Sequence, residues 1–158
     1  MFFVTFSIAF SGMNNAGLVF PSERPVFLRE VNNNMYSVSA YYCSKVVSEL
    51  PAAIFVPSLQ ATIIYFAVGF NTELWYKFPI FLSIAVLIYN GFTGFGYVLG
   101  AAIAHQQLIA VFTPMIIVPT MLMSGFFVKQ DNIPKFPYFI RETAIVKYGY
   151  QAFFLNEF

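Results

Sequence analysis

The run Phe78–Val128, FPIFLSIAVLIYNGFTGFGYVLGAAIAHQQLIAVFTPMIIVPTMLMSGFFV, decides the fold because it contains no Asp, Glu, Lys or Arg. As a single helix it would be roughly 75 Å long, more than twice the ~30 Å hydrocarbon core of a bilayer. The run must therefore turn back on itself, and its only strongly polar cluster is His105-Gln106-Gln107. We predict two membrane spans here, over residues 78–104 and 108–128.

The rest of the chain shares this composition. Only 9% of its 158 residues are charged and 59% are hydrophobic, with a mean hydropathy of +0.70, whereas a soluble domain is roughly a quarter charged. Two further charge-free runs, Met1–Ser22 and Leu50–Thr72, predict spans over residues 1–19 and 40–70. We therefore predict an all-α, multi-pass integral membrane protein with about four transmembrane helices.

A polar stretch, Phe20–Tyr42, separates the first two predicted spans. Ser22 is a suitable N-cap and Pro25 is tolerated in a first helical turn, so the pattern predicts a short helix over about residues 22–35. The residues Asn32-Asn33-Asn34 favour ending it, because asparagine is a poor residue inside a helix. Composition alone leaves two interpretations open: a solvated turn between spans, or a docking helix for a soluble partner.

Two pairs of residues in the second predicted span have local consequences. Lys45 and Glu49 are four positions apart, so their side chains share a helical face and can form an ion pair. Pro51 and Pro57 each remove one helical hydrogen bond and should kink the span. An ion pair of this kind near the polar stretch is typical of a helix end at the membrane interface.

Small and polar residues in two other spans are expected to face protein or a cavity. Gly96 and Gly100 lie on one face of the third span, where small residues allow close backbone contact with another helix. Asn14 and Asn15 lie in the second half of the first span, where an unpaired amide facing lipid would be costly. Their side chains are therefore expected to face protein, a cavity or the headgroup boundary.

Residues 129–158 differ from the rest of the chain. Pro134 and Pro137 interrupt them, charges are scattered through them, and each apolar piece is too short to cross a bilayer. The pattern predicts an interfacial or re-entrant pair of helices.

The sequence holds no arrangement of residues for bond-making chemistry. It has no G-x-x-x-x-G-K-[ST] loop for nucleotide phosphates. The single histidine, His105, and the single cysteine, Cys43, are two spans apart, so we predict no catalytic pair, no metal site and no internal disulfide. A net charge of +1 gives no basis for nucleic-acid binding.

Several motifs together indicate a family. In chain order they are FPSERPVFLRE (20–30), MYSVSAYYCSK (35–45), SELP (48–51), IIYFAVGF (63–70), MSGFFV (123–128) and KYGYQAFFLNEF (147–158). This series resembles the ABC-2 type transmembrane domain of the G subfamily of ABC transporters, the White-type half-transporters. The resemblance implies that the polar stretch is a cytoplasmic coupling helix contacted by a nucleotide-binding domain. It also implies that this domain, with its ATP and Mg, and the family's first and last spans lie outside this sequence.

The resemblance also suggests roles for individual residues. The candidates for coupling to the nucleotide-binding domain are the charged residues Glu23, Arg24, Arg29 and Glu30, because paired charges at a wet interface hold register. The candidates for lining a substrate cavity are Phe10, Val118, Met121, Phe126 and Phe127. The tail over residues 129–158 is implied to be re-entrant and extracellular.

The function that the resemblance implies is ATP-driven export of lipid-like, sterol or amphipathic small molecules. The expected partners are the nucleotide-binding domain of the same polypeptide, a second half-transporter, membrane lipid and a hydrophobic cargo. Two alternatives stay open: a motorless structural or assembly subunit, and a passive channel, which should line its path with charges. The excess of basic residues in the tail places that tail in the cytoplasm by the positive-inside rule, opposite to the family topology. The expected location is the plasma membrane or an internal membrane.

Overall fold

The computed structural model describes residues 1–70, 75–103, 105–122 and 145–157. These ranges form five helices and contain no strand: α1 (Phe2–Asn32), α2 (Val38–Val68), α3 (Lys77–Ala102), α4 (Gln106–Leu122) and α5 (Ile145–Glu157). Helices α1, α2 and α3 are long and apolar enough to cross a membrane, and α4 is apolar over a shorter length. The predicted all-α, multi-pass fold is confirmed.

The first helix does not stop at the polar stretch. The sequence predicts a separate helix beginning at Ser22, but α1 runs unbroken to Asn32 with Pro21 and Pro25 inside it. The Ser22 hydroxyl donates a hydrogen bond to the carbonyl of Val19, 2.6 Å away, instead of capping a new helix. Extending an existing helix costs less than nucleating another, so the local capping pattern is overridden. The predicted coupling helix is therefore the last part of α1.

Helix α1 ends at the asparagines, as the sequence predicts. Asn33 caps the helix and Asn34 has a φ of 54°, a left-handed conformation that asparagine tolerates. The amide of Met35 donates to the carbonyl of Glu30 at 3.2 Å, which closes the helix with a Schellman-type bond. The next helix begins at once, because the Ser37 hydroxyl accepts a hydrogen bond from the amide of Ala40 at 3.3 Å.

Close contact between α1 and α3 forms the centre of the bundle. A Cβ on Gly96 would lie 3.0 Å from the backbone nitrogen of Gly17, and one on Gly12 would lie 2.5 Å from the carbonyl oxygen of Tyr89. Gly100 is packed against Phe20 in the same line of contacts, which we call the α1–α3 seam. Because only glycine leaves room for these contacts, the small residues determine how closely the two backbones approach.

Helix α5 packs antiparallel to the first half of α3. The rings of Phe153 and Phe81 are 4.6 Å apart, and the side-chain amide of Asn156 donates to the carbonyl of Lys77 at 3.0 Å. Gly149 lies against Ile88, which is roughly 16 Å along α3 from Lys77. Helix α5 therefore lies beside a helix that is long enough to cross a membrane, although its own 13 residues are too few to span a bilayer.

Helix α2 is the most exposed of the three long helices. Its buried residues are Pro57, Ala61 and Tyr65, all in its second half. That half ends at Gly69, whose φ of 71° is left-handed. The first half, residues 38–56, has no buried residue, so its position depends on a small number of specific contacts.

Candidate functional site

An apolar groove of about 820 Å³ opens between α1, α2 and α4. Most of its lining comes from one face of α1, where residues recur at helical spacing. Gln60 of α2 and Ala110 of α4 complete it. The lining residues from α1 are Phe6, Ser7, Phe10, Ser11, Asn14, Asn15, Leu18 and Val19.

Besides the hydroxyls of Ser7 and Ser11, three side-chain amides line the groove, and each is held by a hydrogen bond. Asn14 donates to the carbonyl of Phe10 at 3.0 Å. Asn15 donates to the hydroxyl of Tyr89 at 3.0 Å, and Gln60 donates to the hydroxyl of Ser7 at 2.6 Å. Each amide retains an acceptor oxygen and a second N–H. The groove thus offers fixed, neutral hydrogen-bonding groups on apolar walls, which suits an uncharged ligand with few polar groups.

A backbone acceptor lies at the same groove. Pro114 has no N–H, so the carbonyl of Ala110, four residues earlier in α4, lacks its intrahelical donor. Ala110 lines the groove, so this interruption of the α4 hydrogen bonds lies at the groove.

The structure brings one predicted cavity residue to this groove. Phe10 lines it, whereas Val118 is 44% exposed on α4 and lies outside the lining. Met121 belongs to α4, but its side chain lies outside the described residues, as do Phe126 and Phe127. The roles suggested for Val118, Met121, Phe126 and Phe127 stay predictions.

A smaller polar pocket of about 460 Å³ lies beside the groove. Pro21 and Ser22 of α1 line it, together with His105, Gln106 and Gln107 at the start of α4. The side chain of Gln106 donates to the carbonyl of Leu18 at 2.9 Å, and Leu18 lines the groove. This contact therefore links a residue that lines the polar pocket to one that lines the apolar groove.

A charged cluster joins α1, α2 and α3 near the turn at Asn33–Ser37. The Nζ of Lys45 lies 2.5 Å from a carboxylate oxygen of Glu23 and 2.7 Å from one of Glu49. Tyr41 donates to Glu23 at 3.1 Å, and Tyr97 of α3 donates to Glu49. The predicted Lys45–Glu49 pair is confirmed. One ammonium neutralises only one of the two carboxylates, and the phenol donors stabilise the cluster by supplying further hydrogen bonds to both acids.

The four charged coupling candidates fall into two groups. Glu23 is bound by Lys45, and Glu30 accepts a hydrogen bond from the hydroxyl of Tyr36 at 2.7 Å. That hydrogen bond to a carboxylate raises the pKa of Tyr36 to about 12. Arg24 and Arg29 form no ion pair within the part of the chain that the structure describes. The structure therefore uses the acids internally and leaves the arginines available.

Sequence reasoning missed several residues of these sites. Tyr97 and Tyr89 carry no local pattern that marks them as hydrogen-bonding residues, and their partners Glu49 and Asn15 are 48 and 74 positions away. Gln60 gave one weak signal, as an isolated amide in a span. No local periodicity reports such long-range pairs.

These features define an all-helical integral membrane domain with an apolar groove between its helices. All of residues 1–158 match the ABC-2 type transporter family, and the chain belongs to that family. The White-type and G-subfamily resemblance of its motifs is confirmed by relatives with those names.

Three relatives illustrate the similarity. The ABC transporter ATP-binding protein/permease wht-1 of Caenorhabditis elegans is 34% identical over 139 residues, covering 88% of this chain and 21% of the relative. Protein white of Drosophila melanogaster is 28% identical over 154 residues, covering 98% of this chain and 22% of the relative. ABC transporter G family member 6 of Arabidopsis thaliana is 33% identical over 140 residues, covering 89% of this chain and 19% of the relative. The chain thus spans about a fifth of the length of these relatives.

Proposed function

We propose that this chain is the membrane-spanning part of an ATP-driven ABC transporter that exports lipid-like, sterol or amphipathic small molecules. The groove between α1, α2 and α4 carries the proposal. Its walls are apolar, its polar groups are neutral and held in place, and no charged side chain among the described residues lines it. Such a lining favours apolar cargo with a few hydrogen-bonding groups over ions or sugars.

In this proposal the energy comes from outside the chain. ATP and Mg would bind on a nucleotide-binding domain of the same polypeptide, by analogy with the wht-1 relative, whose name describes an ATP-binding protein and permease and of which this chain covers 21%. The last part of α1 is the surface that this domain would contact. Arg24 and Arg29 are the preferred contact residues, since Glu23 and Glu30 already have partners within the chain.

Movement of α1 would act directly on the groove. Phe10 and Asn14 lie on the same continuous helix as Arg24 and Arg29, so a displacement of the end that holds the arginines would be transmitted along α1 to the groove. A second half-transporter, identical or related, would supply the opposite wall of the path. Alternating access would follow from motion of the two α1 helices relative to each other.

The test is ATP-dependent transport by the natural full-length polypeptide in proteoliposomes. A fluorescent sterol and a fluorescent amphipathic amine would serve as probes, and a non-hydrolysable ATP analogue would serve as the control. We expect transport with ATP and none with the analogue. Equal, gradient-driven flux under both conditions would indicate a passive channel. Assembly with a partner but no flux under either condition would indicate a structural subunit.

A further inference from the structure

Pro57 interrupts the backbone hydrogen bonds in the middle of α2. It lies inside a 31-residue helix that is long and apolar enough to cross a membrane. Because proline has no N–H, the carbonyl of Ala53, four residues earlier, loses its intrahelical hydrogen bond. A carbonyl without a partner is costly inside a bilayer, where no water can replace the missing donor.

A side chain on another helix supplies that donor. The Nδ2 of Asn90, on α3, lies 3.2 Å from the carbonyl oxygen of Ala53 and 2.8 Å from that of Val86. A carboxamide nitrogen carries two hydrogens, so both acceptors can be satisfied at once. Asn90 is roughly 20 Å along α3 from Lys77, at mid-span. Asparagine is a poor residue for a helix interior, so its presence there has a tertiary explanation.

We propose that Asn90 is a positioning residue, which replaces the hydrogen bond that Pro57 removes from α2 and so holds α2 against α3. The contact lies at the boundary between the exposed part and the packed part of α2. Pro57 and the buried residues Ala61 and Tyr65 belong to the packed half of α2. Residues 38–56, on the other side of the contact, have no buried side chain and include Lys45 of the charged cluster.

The contact also lies close to the groove. Gln60, which lines the groove, is less than one helical turn beyond Pro57. Asn90 therefore contributes, together with the ion pair and hydrogen bonds of the charged cluster, to the position of the exposed half of α2 beside the groove. This consequence for transport rests on the proposed function, whereas the replacement of a hydrogen bond does not.

A double-mutant cycle tests the replacement. Asn90→Leu removes the donor and keeps the branched shape of the side chain, and Pro57→Ala returns a backbone N–H that can bond to Ala53. In the full-length protein in nanodiscs, we expect Asn90→Leu to lower the midpoint of thermal unfolding by about 2–4 °C. In the Pro57→Ala background the same substitution should lower it by much less, because the Ala53 carbonyl then has a partner within its own helix.

Pro51→Ala is the matched control. Pro51 removes the hydrogen bond of Val47, not that of Ala53, so Pro51→Ala should leave the effect of Asn90→Leu unchanged. Additive effects of Asn90→Leu and Pro57→Ala would overturn the proposal, as would equal rescue by the two alanine variants. If Asn90→Leu does not fold, the yield of folded protein replaces the midpoint as the readout, with the same rescue pattern expected.

Transport measurements then separate this inference from the proposed function. If the stability cycle shows rescue and Asn90→Leu also reduces transported cargo per ATP, with recovery by Pro57→Ala, both hold. Rescue of stability in a protein that moves no cargo would support the hydrogen-bond replacement and contradict the transport role.

Discussion

Lys45 on α2 and Glu23 on α1 are 22 positions apart in sequence, yet their Nζ and carboxylate oxygen lie 2.5 Å apart. The Lys45 side chain is only 13% exposed, so this ion pair is shielded more than an ordinary surface pair. It fixes the last part of α1 to α2 and gives Glu23 a role inside the chain. Its immediate neighbour Arg24 has no such partner within the described residues.

Charge reversal at these two neighbours should therefore give different results. Glu23→Lys places two ammonium groups together. We expect it to lower the free energy of unfolding by about 1–2 kcal/mol. This is less than the loss of a fully buried ion pair would cost, because the side chain of Glu23 is partly exposed. Arg24→Glu is the matched control and should change stability by less than about 0.5 kcal/mol. Denaturation of both variants in detergent would measure this. Equal losses would show that the Lys45–Glu23 pair does not stabilise the bundle.

The arginines should affect coupling without affecting stability. Arg24→Glu and Arg29→Glu together reverse the charge of the surface proposed to meet the nucleotide-binding domain. We expect cargo moved per ATP hydrolysed to fall, with the unfolding midpoint unchanged. The measurement is ATPase rate and cargo flux on the same proteoliposomes. An unchanged ratio would remove these residues from the interface.

Two glycines on α3 provide a test of the α1–α3 seam. A Cβ on Gly96 would meet the backbone of α1, whereas a Cβ on Gly94 would have nothing within 4 Å. We expect Gly96→Ala to destabilise the protein by about 1–3 kcal/mol. Gly94→Ala should be neutral or stabilise it by up to about 1 kcal/mol, because alanine favours the helix. Thermal unfolding in nanodiscs separates the two, and a stable Gly96→Ala variant would contradict the close packing.

Phe10 and Val118 distinguish two locations for the cargo. Phe10 lines the groove of this chain and Val118 does not. We expect Phe10→Ala to raise the cargo concentration for half-maximal ATPase stimulation about tenfold, the loss of roughly one aromatic contact. Val118→Ala should change it little. The reverse result would place the cargo on α4, against residues that a second copy supplies, rather than in this groove.

The Tyr36–Glu30 hydrogen bond should resist alkaline pH. The pKa of Tyr36 is raised from 10 to about 12, so the bond's contribution is complete below pH 10 and is lost as pH rises towards 12. Tyrosinate absorbance of the wild-type protein, minus that of Tyr36→Phe, should show a phenol titrating near pH 12. A difference curve centred at pH 10 would show that the hydrogen bond is absent.

The span pattern could be predicted from sequence because it depends on composition and local geometry. Charge-free runs longer than a bilayer require transmembrane helices, and the asparagines at 32–34 stop α1 where their side chains compete with the helix. The pairing of Lys45 with Glu49 is also local, since four positions of helix place the two side chains together. The motifs then identified the family.

One local signal was misleading. Ser22 and Pro25 form a credible helix start, but α1 continues through both. A capping residue stabilises a helix only if the chain before it leaves the helical conformation, and here the preceding turns pack against α3 through Gly12 and Gly17. That tertiary contact favours one continuous helix, which in turn makes α1 a direct connection between the charged cluster and the groove.

The sequence by itself determined that this chain crosses a membrane several times, where its polar stretch lies and which family it belongs to. Only the tertiary structure decided which partners the polar side chains have: Glu23 with Lys45, Asn15 with Tyr89, and Asn90 with the carbonyl of Ala53. The physical reason is the range of the interactions. Hydrophobicity and helical periodicity act within one segment, whereas a hydrogen bond between helices exists only after their packing has brought donor and acceptor to within about 3 Å.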